Sequence, residues 1–385
     1  IYRQIPLPKP PEELTVAARA VIEDAGYVDP PVDRVFGFAR DGDYFRKQGE
    51  NPSIDRWDDL GSVRPVPFRF WYRQSPRYMV PANWVGWLGP VDPPSIESGM
   101  IDVDLDPAGR LLRFQAVPPE RGDSVPLAAE LDWGVFFERA GLDPAEFEDA
   151  EPAWTPLVAS DTRRAWLESA GTGEDRLRVE ASSFLGRPVY FEVIPEWRVP
   201  RRMEPPPVRT GEKIGGAIAI VLVVGVSVGA LLLARRNIRL GRGDRRGAAR
   251  LAAFLFAVRS LVWILRIDHV PTFDELEILS DVFTKALFTA MIAWLFYMAL
   301  EPYVRRLWPG SLVSWTRLLM GRFRDPLLGR DILAGAVLGS MWGCYIWLKN
   351  GILALLNAPP AMPSVATFST ELPWAFRDSL LAFVK

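Results

Sequence analysis

Few side chains in this sequence are suited to catalysis or metal binding. Its 385 residues include one histidine, His269, and one cysteine, Cys344. A lone histidine leaves no His-based zinc site or proton relay, and a lone cysteine excludes internal disulfides and CxxC motifs. We therefore predict that these residues contain no catalytic group, no metal site and no cofactor site.

One short motif resembles a hydrolase signature. Gly225-Val-Ser227-Val-Gly229 matches the GxSxG nucleophile elbow, which needs a strand-to-helix turn and a partner histidine. Here the motif lies inside an unbroken apolar run, and the sequence has only one histidine. An intramembrane hydrolase is the alternative that this motif would suggest, but it would lack a credible catalytic pair. Small residues four positions apart instead favour close packing of membrane helices. The spacing recurs at Gly335, Gly339 and Gly343.

Arginines and aromatic residues are mixed in one segment of the N-terminal half. Its members are Arg69, Trp71, Tyr72, Arg73 and Arg77. A ligand surface uses this combination, and so does a half-buried strand with one basic face. Both interpretations stay open at this point.

Three aspartates imitate the start of a calcium loop. Asp102, Asp104 and Asp106 are spaced correctly, but Pro107 stands where the loop needs glycine and Arg113 where it needs glutamate. A period of two places the three acids on one face of a strand. We expect that face to be solvated.

Charge is divided unevenly along the chain. The net charge of −2 is the sum of −10 for residues 1–213 and +8 for residues 214–385. The run from Ile214 to Ala234 carries no charge and matches the roughly 20 residues that span a bilayer. We predict four transmembrane helices within 214–356, at 214–234, 251–267, 282–300 and 332–356.

The loops between these spans predict an orientation. Arginines crowd the first loop, Arg235–Arg250, and the third, whereas the second loop is acidic. Arginine in alternate loops is the positive-inside pattern, which places both arginine-rich loops in the cytoplasm and residues 1–213 outside the membrane. The first loop, including Gly241-Arg-Gly243, reads as a basic linker that contacts anionic lipid headgroups. Because these arginines adjoin apolar spans, we expect no nucleic-acid partner.

Four charged residues fall within the predicted spans. They are Arg259, Arg266, Lys285 and Lys349. Long cationic side chains near span ends extend their charge to the interface, and we expect this of Arg259 and Arg266 more than pairing with Glu277 or Asp281. Pairing inside the bundle would instead favour a transporter or channel subunit.

For residues 1–213 the sequence predicts an α+β domain at 11–199, between a Pro-rich lead-in (1–10) and a Pro-rich linker (200–213). Helices are predicted at Glu12–Ala25 and Leu131–Ala140, each ending at a glycine. Two hairpins are predicted, one around Asp106–Gly109 and one around Leu185-Gly186-Arg187. Similar spacings in the two halves suggest a duplicated helix-plus-hairpin unit, although chance produces such matches too.

The two ends of the sequence are abrupt. It opens at Ile1 without a methionine or signal peptide, so we expect a missing N-terminal part, and residues 357–385 form an extracytoplasmic tail.

Several strings resemble a group of bacterial membrane-bound serine/threonine kinases. They are Glu301–Pro309 (EPYVRRLWP), Ser314–Leu319 (SWTRLL), Gly321–Asp331 (GRFRDPLLGRD), Phe70–Pro76 (FWYRQSP) and Gly186–Glu192 (GRPVYFE). In that group a cytoplasmic kinase domain precedes a membrane span, an extracytoplasmic region and further spans. The resemblance implies a sensor and anchor role in the bacterial inner membrane, and the GxxxG spacings predict a homodimer. No Gly-rich loop, VAIK, HRD or DFG motif occurs in the sequence, so no active-site residue carries over.

Overall fold

The computed structural model describes residues 8–355 except 52, 54, 84–87, 123–130, 170–175, 204–209, 267–268, 308–312, 315–316, 318–320 and 322–323. Most of the lead-in, the middle of the linker and the predicted tail 357–385 lie outside the described residues. The chain divides into two compact units, one built on Ile1–Pro200 and one on Arg201–Ile267 with Phe273–Ile352. Each is considered by itself.

The first unit is α+β, as predicted. Its helices are α1 (Pro11–Asp24), α2 (Gly42–Glu50) and α3 (Gly134–Ala140). Its strands are β1 (Asp33–Arg40), β2 (Phe68–Ser75), β3 (Ile101–Leu105), β4 (Leu111–Ala116), β5 (Phe147–Ala150), β6 (Thr162–Glu168), β7 (Arg178–Phe184) and β8 (Arg187–Ile194). They form one antiparallel sheet in the order β1-β2-β3-β4-β8-β7-β6-β5.

The two halves of this sheet repeat one arrangement. In each half a helix, α1 or α3, precedes four strands that pair in sequence, and α2 is inserted between β1 and β2. The halves join where β4 pairs with β8. The predicted unit of a helix and a hairpin is present in each half, but two further strands precede the hairpin, so that unit was too small.

The helices α1 and α3 cover one face of the sheet. In α1, Leu14, Ala18, Val21 and Ile22 are buried, because their spacing of three and four residues places them on one side of the helix. Together with residues of α3 and both central hairpins they form the main apolar core. Helix α3 ends at Gly141, whose φ of 66° is the left-handed conformation that glycine adopts at low cost.

Both predicted hairpins are present. At the first turn the Asp106 carboxylate accepts hydrogen bonds from the backbone N–H groups of Ala108 and Arg110, at 2.9 and 2.8 Å. At the second, Leu185 and Gly186 have φ of 51° and 76°. Positive φ at both central residues matches the twist of the flanking strands. These turns fix the register of the four central strands.

The second unit consists of long helices. They are α4 (Thr210–Arg239), α5 (Arg245–Arg266), α6 (Asp274–Leu307) and α7 (Pro326–Leu355). Within the described residues, two helical stretches are long and apolar enough to cross a membrane, Lys213–Arg239 and Asp274–Leu307. Helix α6 packs against both α4 and α5.

Candidate functional site

The face of the sheet opposite α1 and α3 contains a buried ion-pair network. The Arg73 side chain is 1% exposed, and its Nε donates to Asp102 Oδ1 at 2.7 Å. Its other nitrogens donate to the carbonyl oxygens of Gly89 and Pro93 and to Ser95 Oγ, at 2.5–2.9 Å. The guanidinium therefore ties the loop after β2 to the sheet.

Asp104, two residues after Asp102 in β3, belongs to the same network. Its Oδ2 accepts from Arg69 and Arg113, both at 3.0 Å, and its side chain is 4% exposed. Burial alone would raise the pKa of the Asp104 carboxyl, but the charges of Arg69 and Arg113 outweigh it and lower the pKa below its ordinary value of 3.8. The carboxylate is therefore held ionised inside the domain.

The prediction that the three aspartates lie on a solvated face is wrong. Asp102, Asp104 and Asp106 are 2–4% exposed. The sheet register explains this for Asp102 and Asp104, because it places Arg73 opposite Asp102 and Arg113 opposite Asp104. Asp106 lies in the hairpin turn, where it pairs with Arg110 at 2.6 Å. Opposite charges on neighbouring strands compensate each other where water is excluded.

The candidate ligand surface is distributed over two faces of the sheet. Trp71 shares the ion-paired face with Arg69 and Arg73, whereas Tyr72 belongs to the core beneath the helices. Of the five residues, only Arg77 is largely exposed, and it pairs with Glu97 at 3.2 Å. The strand interpretation describes this segment better, since Arg69 and Arg73 do share one face.

An open cleft of about 420 Å³ lies beside α2. We call it the α2 cleft; its lining includes Tyr44, Lys47, Ser62, Arg64, Glu196 and Trp197. The Trp197 indole N–H donates to Asp41 Oδ2 at 3.0 Å, and the rings of Trp197 and Tyr44 meet edge to face with centroids 5.1 Å apart. Asp41 also caps α2, since its Oδ1 accepts from the N–H groups of Asp43 and Tyr44.

In the helical unit, a buried asparagine joins α4 to α6. Asn237 is 3% exposed, and its Nδ2 donates to the carbonyl oxygens of Met298 and Ala299 at 2.9 and 3.0 Å. Pro302 lies inside α6 and has no N–H, so the Met298 carbonyl lacks its usual helical donor. The Asn237 amide takes the place of that donor.

Close packing of glycine occurs beside this contact. A Cβ atom on Gly243 would lie 2.3 Å from Met298 Cε, and one on Gly247 would lie 2.8 Å from the Tyr297 hydroxyl. The turn from α4 to α5 therefore packs on α6. Contact of its arginines with lipid headgroups stays a prediction.

The five glycines predicted to pack helices lie in open surroundings, unlike Gly243 and Gly247. A Cβ atom on any of them would meet nothing within 4 Å in the described part of the chain. These are Gly225, Gly229, Gly335, Gly339 and Gly343. No described residue therefore packs against these glycines at the distance of a Cβ contact.

The predicted intramembrane charges are only partly described. Lys285 forms an ion pair with Asp281 one turn earlier in α6. Arg259 is half-buried in α5, and its Nε makes no hydrogen bond within the described residues. The side chains of Arg266 and Lys349 lie outside them.

Sequence reasoning missed the α2 cleft and the contact of Asn237 with α6. Pro302 was an available signal, because a proline inside an apolar helix frees a carbonyl that needs a donor. The cleft had no comparable signal, since its walls come from residues about 150 positions apart. In comparisons with known proteins, no family, no curated protein and no solved structure matches the chain.

Proposed function

We propose that the chain is the sensing and anchoring part of a bacterial membrane signalling protein. The observation that carries this proposal is the exposed apolar surface of α4. An 18-residue window within Lys213–Arg239 has a mean hydropathy of 2.8, and 11% of that window is buried. Val221, Val223 and Leu232 are each more than 60% exposed. Water does not favour so large an apolar surface, whereas a lipid bilayer covers it.

The proposed arrangement has four spans, formed by α4 to α7. Residues 1–213 lie outside the inner membrane, and the two arginine-rich loops lie in the cytoplasm. The charge alternation of the loops supports this orientation. The resemblance to receptor-type serine/threonine kinases supports a signalling role, with catalysis supplied by a domain other than these residues.

A route for the signal follows from the order of the elements. Helix α4 is connected through the Pro-rich linker to the α+β domain, and its far end is bound to α6 by Asn237. A shift of α4 therefore changes the packing around Pro302. We propose that a signal outside acts by biasing two such packings.

The open glycines of α4 offer a surface for a second copy of the chain. Gly225 and Gly229 are four residues apart and leave room for close approach of another helix. A homodimer formed through this surface would couple two copies across the membrane.

This part of the proposal is tested by fluorescence energy transfer between labelled full chains in liposomes. We expect Gly225→Leu with Gly229→Leu to reduce association by about tenfold, a cost of about 1.4 kcal/mol. Gly216→Leu is the matched control, because nine helical residues place Gly216 on the opposite side of α4. Unchanged association in the double variant contradicts a dimer through this surface.

A further inference from the structure

We propose that the α2 cleft binds a small organic anion with an aromatic or apolar body. Its volume of about 420 Å³ lies within the range of roughly 300–1,000 Å³ that small-molecule sites occupy. Aromatic and charged groups converge on it, which is the combination such sites use for burial and orientation.

The aromatic wall of the cleft is held in place before any ligand arrives. Trp197 is fixed through its indole N–H to Asp41 and by its edge contact with Tyr44. Tyr44 is 3% exposed and belongs to a buried cluster with Phe45 and Trp57. Because these side chains are already ordered, they lose little conformational entropy when a ligand binds. Apolar contact with the wall therefore contributes to affinity.

The charges of the cleft favour an anion. Lys47 and Glu196 form an ion pair and neutralise each other. Arg64 is exposed, and within the part of the chain that the structure describes it makes no ion pair. One positive charge is therefore left, on a guanidinium whose paired N–H groups match a carboxylate or another oxyanion.

The position of the cleft gives binding a consequence. Glu196 and Trp197 lie between the end of β8 and the Pro-rich linker that leads to α4. A ligand that contacts both residues adds to the contacts that already hold the start of that linker. This consequence depends on the proposed sensing function, whereas the binding site itself does not.

The test uses the purified full chain in detergent micelles and isothermal titration calorimetry. The probes are phenylacetate, 3-phenylpropionate and indole-3-acetate, each compared with its uncharged primary amide at up to about 5 mM, since weak sites have millimolar Kd. We expect at least one carboxylate to bind at one site per chain, about tenfold more tightly than its amide, because charge-assisted hydrogen bonds are the stronger class.

Two variants locate the binding. Arg64→Gln should remove the preference for the carboxylate, and Arg77→Gln, a change at an exposed arginine outside the cleft, should keep it. Near-ultraviolet circular dichroism checks that both variants remain folded. If no carboxylate binds, or if Arg64→Gln leaves the preference intact, the inference is overturned. Because the measurement needs no membrane, it fails or succeeds independently of the proposed orientation.

Discussion

Phe114 and Phe191 lie directly opposite each other where β4 pairs with β8, at the centre of the eight-stranded sheet. Each stands five residues after the turn glycine of its own hairpin, Gly109 or Gly186. On either side of them Arg113 faces Glu192 and Gln115 faces Tyr190. A rotation that exchanges the two halves of the sheet also exchanges these two residue pairs. An approximate twofold axis therefore passes between the phenylalanines. The spacing of the sequence and the pairing of the strands thus support a duplicated unit independently.

These two phenylalanines should be essential for the stability of the domain. Both are completely buried, and both rings contact Phe136 of α3. We expect Phe114→Ala and Phe191→Ala each to lower the free energy of unfolding by about 3–5 kcal/mol through lost burial and the cavity left behind. Chemical denaturation followed by near-ultraviolet circular dichroism measures this. Val28→Ala, at a side chain 78% exposed, should change it little; equal losses at all three positions would contradict the assignment of the core.

The ionised state of Asp104 should make the stability of the α+β domain depend on pH in the acid range. Its pKa is lowered in the folded protein, so its contribution is complete above the ordinary value of 3.8 and is lost as pH falls through the lower folded value. Asp104→Asn leaves Arg69 and Arg113 without their shared charge, which we expect to cost about 3–5 kcal/mol at pH 7.

Thermal unfolding at a series of pH values checks this expectation. The difference between the wild-type chain and Asp104→Asn should shrink as the pH is lowered below 3.8. Asp149→Asn, at an exposed position of the edge strand β5, is the control and should follow the wild type. A difference that stays constant down to the lowest pH would show that the charge of Asp104 is not responsible.

The contact between Asn237 and Met298 should depend on Pro302. We expect Asn237→Leu to cost about 1–2 kcal/mol, because it leaves a buried carbonyl without a donor. In the Pro302→Leu background the restored N–H supplies that donor, so the cost of Asn237→Leu should largely disappear. A double-mutant cycle of unfolding in mixed micelles measures the coupling; additive effects of the two substitutions would contradict it.

The two central hairpins were predictable from the sequence because local rules govern them. Asp106–Gly109 and Leu185-Gly186 carry the turn chemistry, and α1 and α3 carry helical spacing with a terminal glycine. Strands β1, β5 and β6 lack such signals. They are edge or near-edge strands whose position depends on pairing with distant residues, which spacing alone does not reveal.

The polar residues were harder to interpret than the apolar ones. Alternation correctly placed Asp102 and Asp104 on one face of β3, whereas Asp106 lies in the turn that follows. The choice between water and buried arginines depends on which strand lies next to β3. Arg73 and Asp102 are 29 residues apart and become neighbours only through the register of β2 with β3. The α2 cleft was not predictable for the same reason, since Tyr44 and Trp197 meet only in the folded domain.

The central claim is that the α+β domain lies outside the membrane and the first arginine-rich loop inside. Labelling with a membrane-impermeant maleimide in intact cells tests it most directly. In a Cys344→Ser background, Val28→Cys and Arg242→Cys place single thiols at exposed positions of the domain and of that loop. We predict that Val28→Cys is labelled in intact cells and that Arg242→Cys is labelled only after permeabilisation. Labelling of Arg242→Cys in intact cells, or protection of Val28→Cys, would contradict the account.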